Sequence, residues 1–144
     1  MARTQAASKD LIPSALKQLK QMIDGAQSEL DAGRPHSSGT LSVSGAVRAV
    51  DLICDANLGE HSTGSSHKDA IDLLAKVSDA DDLVEDFSLC QSNKTEFNYH
   101  ASALTLEYAG EVLEAARRLA ANAVQGVTQR EWFPSDFDQA DFIF

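Results

Sequence analysis

The sequence is poor in cysteine, proline, aromatic residues and positive charge. It has two cysteines, Cys54 and Cys90, too few for a disulfide framework. Both fall in apolar helical patterns, so free buried thiols are expected. Prolines occur only at positions 13, 35 and 134, which leaves long stretches open to regular structure. No apolar run approaches the ~20 residues that cross a bilayer, and the opening MARTQAASKDL lacks the apolar core of a secretory signal. A cytoplasmic chain with no membrane partner is expected. Twelve Lys and Arg stand against 22 Asp and Glu, a net charge of -10. That balance weighs against a broad nucleic-acid-binding surface, because phosphate contacts need clustered Lys and Arg. It leaves room for a small basic site and favours a basic partner.

At 144 residues the chain suits one domain with one core. Apolar residues recur at helical spacing from Leu11 to Leu30. Pro13 fits only near the first turn of that helix, and Gly33 with Arg34-Pro35 ends it. The run HSSGT reads as a polar turn before a second helix, whose face is Val43, Ala46, Val47, Val50, Ile53, Cys54 and Leu58. Gly59 stops it, and EHSTGSS reads as a loop. Ser66 with Asp69, then Ser78 with Asp81, resemble capping boxes for a short third helix through Val77 and for a fourth carrying Leu83, Phe87 and Cys90. A long fifth helix carries Leu106, Leu113 and Ala120. No alternating strand pattern and no repeat is visible. The fold class expected is all-α, a bundle of four to five helices over residues 1–126, with an irregular acidic and aromatic tail over 127–144.

The tail holds the single Trp and four of the six Phe. Trp132 and Phe133 precede Pro134, and Asp136, Asp138 and Asp141 alternate with Phe137, Phe142 and Phe144. Either the aromatics strap the bundle or they bind a partner. A split is expected, with Trp132 and Phe133 anchored and Phe142 to Phe144 available. The ending DFIF is similar to the acidic tip of bacterial single-stranded DNA-binding proteins, where acids precede a terminal apolar pair.

Most reactive residue types have ordinary explanations. His61 and His67, with Glu60, are metal-ligating types, but no further ligand spacing supports them, so a solvated loop and no metal are expected. STGSS resembles a phosphate cradle in composition alone, without the lysine or a preceding strand. Ser44 and Ser66 have no base at a recognisable spacing. Arg117-Arg118 reads as a snorkelling helix face. No cofactor is expected.

The run SNKTEFNYH, residues 92–100, is different: it concentrates Asn93, Lys94, Asn98, Tyr99 and His100 between two helices. The order of parts around it resembles the HEPN domain. The second helix, SVSGAVRAVDLI, is rich in serine and alanine, Ser66-His67-Lys68 opens the third, and EVLEAARRLA ends the chain's helical part. Between them Lys94-Thr95-Glu96-Phe97-Asn98-Tyr99 stands where the family shows an R-x-x-A-D-Y type pattern. The resemblance spans roughly residues 10–124, and it departs from the family at Lys94, usually arginine, and at Phe97, usually small.

What the resemblance implies is a homodimer and one of two functions. The first is a non-catalytic module that binds a partner protein, a nucleotide or an RNA in a defence or toxin–antitoxin system. The alternative is a metal-independent ribonuclease with a composite site across the dimer, restrained by a partner such as a nucleotidyltransferase or acting with another effector. Lys94 and His100 would be its catalytic pair, and Asn93, Asn98 and Tyr99 would contact RNA or nucleotide. Histidine titrates where a general acid or base must, and lysine supplies charge without arginine's fork.

Overall fold

The computed structural model describes residues 3–64, 66–92 and 105–144. Among these, strand β1 (Thr4–Ala6) is followed by α1 (Ile12–Asp31), α2 (Pro35–Leu58), strand β2 (Glu60–Ser62), α3 (His67–Leu74), α4 (Asp81–Ser92) and α5 (Leu106–Gln129). Short 3-10 turns lie at Lys9–Leu11 and Gln139–Phe142. The architecture is an all-α bundle, as expected, with a small antiparallel β1–β2 pair added. No described helix is long and apolar enough to cross a membrane.

The boundaries follow local chemistry. Pro13 sits in the first turn of α1, where a missing N–H is harmless. At the other end Gly33 takes φ 77°, the left-handed region open to glycine. The Gly33 amide then donates to the Leu30 carbonyl at 3.0 Å and the Arg34 amide to that of Glu29 at 2.9 Å, which closes a Schellman cap. Pro35 starts α2 two residues later. Gly59, also at φ 77°, ends α2 and turns the chain into β2.

The run expected to be a polar turn, HSSGT, is instead helical, because α2 is the centre of the bundle. Ser38, Gly39, Ser42, Gly45, Ala46 and Ala49 are all buried, and small side chains let α1 and α5 approach on both sides. Ser38 is fully buried, and its hydroxyl donates to the Ala26 carbonyl of α1 at 2.8 Å, so a polar residue is satisfied inside the core. The expected capping boxes do not form. Ser66 precedes α3 without a side-chain cap bond, and α4 begins at Asp81 itself. Thr105 makes the side-chain cap on α5, its hydroxyl accepting from the Tyr108 amide at 3.1 Å.

One apolar cluster runs through all five described helices. Leu16, Leu19 and Ile23 of α1 meet Ile53 and Leu52 of α2, Phe87 of α4 and Leu113 and Leu119 of α5. Cys54 and Cys90 are free and buried, as expected. Burial pushes both thiols up to about 12, so neither offers a thiolate for chemistry. The tail is a strap. Phe142 is 7% exposed and belongs to the core, with Trp132, Phe133, Phe137 and Phe144 packed against it. This corrects the expected split, in which Phe142 lay in the free part of the tail; Ile143, between Phe142 and Phe144, is 82% exposed.

Candidate functional site

Asn93, Lys94, Asn98, Tyr99 and His100 lie outside the described residues. What is described is their frame. Helix α4 leads into the run at Ser92, and α5 starts after it at Leu106. The two helices are clamped by Arg118, which donates to both carboxylate oxygens of Asp86 at 2.8 and 3.0 Å. That fork raises the Arg118 pKa further. Arg117 donates to Gln27 of α1 at 2.6 Å, so the two arginines read as a surface face are interhelical ties.

Beside this junction lies an open groove of about 720 Å³. Leu30, Leu89 and Gly110 form its apolar part, and Glu107, Glu111 and Glu114 stand along one side at i, i+4 and i+7 of α5. Its one cation among the described residues is Arg118, already held by Asp86. A Cβ on Gly110 would meet only the Leu30 side chain at 3.8 Å, an ordinary contact, so the bundle itself does not require glycine there.

A second site forms at the opposite end of α1, where β1, the start of α1, α2 and β2 meet. Ile12, which lines this site, and Leu30, which lines the groove, are eighteen helical steps apart, about 27 Å at 1.5 Å per residue. Here a cleft of about 160 Å³ is lined by Arg48, Asp51, Asp55, His61, Leu11 and Ile12, with Gln5 and Ser8 at its lip. Spacings of three and four residues bring Arg48, Asp51 and Asp55 onto one face of α2. Gly59 then folds the chain back, and the pairing of Gln5 with His61 across the β1–β2 strands closes the cleft. His61 is therefore not in a solvated loop, as its sequence context indicated. Its Nδ1 lies 2.7 Å from Oδ1 of Asp55 and donates to that carboxylate, which can only accept.

The electrostatics of the cleft are unequal. Asp55 is 7% exposed, and desolvation raises its pKa while the hydrogen bond from His61 opposes the rise. Asp51 has no such bond. Desolvation pushes it up to about 6, against the weaker pull of the His61 and Arg48 charges. The Nε of Arg48 is buried without a partner. Among the described residues no group of three or more His, Cys, Asp or Glu is placed to hold a metal. A carboxylate pair at i, i+4 on a largely apolar helix face was the signal available in the sequence; the strand that adds His61 was too short to show a period.

The sign of the Asp51 shift gives a stability test. An unfolded aspartate ionises near pH 4, whereas Asp51 holds its proton in the fold up to about 6. Below about pH 4 the group is protonated in both states and costs nothing. As the pH rises through 6 the fold must ionise a desolvated carboxyl, and stability falls by about 1–2 kcal/mol after allowing for partial solvation. Asp51→Asn is expected to raise the melting temperature at about pH 7.5 and leave it nearly unchanged at about pH 4. An equal gain at both values would remove the titration as its cause.

Compared with protein-family models, curated proteins and solved structures, the chain has no match in any of the three.

Proposed function

We propose that the chain is a HEPN-like helical binding module that acts by associating with another protein and does not cleave RNA. The observation that carries this reading is the acidic groove lined by α1, the later part of α4 and the start of α5. Glu107, Glu111 and Glu114 line it, and its arginine is neutralised by Asp86. A polyanion brought to that groove meets repulsion, and the net charge of -10 adds to it at longer range. A protein surface combining basic and apolar side chains meets Leu30, Leu89 and three carboxylates instead. The resemblance to HEPN domains supports a second copy of the chain as a further partner, and sedimentation of the samples below reports it.

The ribonuclease reading rests on the spacing of Lys94 and His100 in the sequence. Purified protein incubated with mixed-sequence RNA decides between the two. Intact RNA is expected. Cleavage that disappears in His100→Ala, with an unchanged melting temperature, would establish the ribonuclease reading in its place.

A further inference from the structure

Gly110 lies inside α5 (Leu106–Gln129), where glycine weakens a helix more than any residue but proline. Two other helical glycines have a packing reason. A Cβ at Gly45 would come within 2.9 Å of Ile23, and one at Gly126 within 3.2 Å of the Ala56 Cβ. Gly110 has no such neighbour: among the described residues a Cβ there would meet only Leu30, at an ordinary 3.8 Å. Instead it is half-buried and lines the acidic groove. A bare stretch of helix backbone at a surface lets another backbone approach closely.

The charges beside it have a helical spacing. The groove follows α5 for three turns, from Glu107 to Arg118, about 16 Å at 1.5 Å per residue, with Leu30 of α1 and Leu89 of α4 bordering it. Glu107 and Glu111 are exposed and make no ion pair among the described residues. With Glu114 they stand about 6 and 4.5 Å apart along the axis. Side chains at i, i+4 and i+7 of a second helix lying along α5 repeat that spacing. Same-face residues of an extended strand recur every ~6.6 Å and drift out of step within the groove.

We infer that the groove seats an α-helix of the partner protein, with Lys or Arg at i, i+4 and i+7 facing the three glutamates and its backbone crossing close over Gly110. Leu30 and Leu89 receive the apolar side of that helix. The inference rests on the association reading above and adds the form of the partner to it.

The purified full chain is titrated with two labelled lysine–leucine–alanine peptides of about 18 residues, long enough to hold a helix in water. One places lysine at i, i+4 and i+7; the other has the same charge with its central alanines changed to proline. Fluorescence anisotropy is expected to show the helical peptide binding about tenfold tighter or more, since proline breaks the helix. Gly110→Leu, which fills the seat, is expected to weaken that peptide about tenfold. Gly110→Ala is expected to weaken it less. Both variants are expected to raise the melting temperature of the free chain by about 2–4 °C, each being a better helix former than glycine. A glycine with a purely structural role does not give a gain in stability together with a loss of binding. Equal binding of the two peptides would mean an extended partner, and would overturn the helix while leaving the association reading in place. Binding of neither would overturn both. A Gly110→Leu chain that melts lower than wild type would mean that the chain's own packing fills the seat, and would overturn the inference by itself.

Discussion

Deletion of residues 135–144 is expected to lower the melting temperature by about 10 °C or more. The segment removes Phe137, Phe142 and Phe144 together. Phe142 stacks on Phe137 with centroids 5.4 Å apart and meets Phe133 edge-on at 5.5 Å. Each buried Phe contributes about 1.5–3 kcal/mol, and each ring pair about 0.5–1.5 kcal/mol more. Even a loss of about 4 kcal/mol shifts a chain of this size by about 8–16 °C. Charge complementarity adds to the seating of the strap. Lys17 lies 5.4 Å from the Phe137 ring centre, and Lys17 and Lys20 share a surface cleft with Asp136, Asp138 and Asp141. Thermal unfolding of the full and shortened chains checks this. Phe142→Ala alone is expected to reproduce a large part of the loss, while Ile143→Ala, at a site 82% exposed, changes little. A shortened chain that melts with the full one would mean that the tail is a free peptide.

The second large effect is expected at Gly45, where α2 packs closely on Met22 and Ile23 of α1. A Cβ there would lie 2.9 Å from Ile23 Cδ1 and 3.5 Å from Met22 Cβ. Alanine requires only the end of the Ile23 side chain to turn, and better helix propensity offsets part of that cost. Leucine has no such route, since Ile23 is fully buried and the space beyond it is filled by the core. Gly45→Leu is expected to cost about 3 kcal/mol, a fall of about 6–12 °C, with Gly45→Ala close to wild type. Thermal or urea unfolding of both variants checks the pair, and a leucine variant as stable as wild type would show that the two helices are not in close contact there.

Much of the fold was legible because its signals are local. The helical periodicity of α1, the Gly33-Arg34-Pro35 break and the Gly59 stop each depend on a few adjacent residues, and each lies where the sequence places it. The errors arose where tertiary context decides. HSSGT has turn composition, yet inside a packed bundle small polar residues let helices approach, and Ser38 recovers its hydrogen bond from α1. The tail's acids hide its aromatic packing from any periodic reading. The cleft was missed for a related reason: Asp55 and His61 are six residues apart across a helix end, and their 2.7 Å contact depends on a three-residue strand pairing with the N-terminal segment.

The association reading depends on the sign of the charge along the groove of α1, α4 and α5. It is tested most directly by parallel fluorescence-anisotropy titrations of the purified chain with a labelled lysine–leucine amphipathic peptide and with a labelled single-stranded RNA. The wild-type chain is expected to bind the peptide saturably and more weakly as salt rises, and neither to bind nor to cut the RNA. The triple variant Glu107→Lys, Glu111→Lys, Glu114→Lys is expected to lose the peptide. Undiminished peptide binding by that variant, or RNA cleavage by the wild type that vanishes in His100→Ala, would contradict the account.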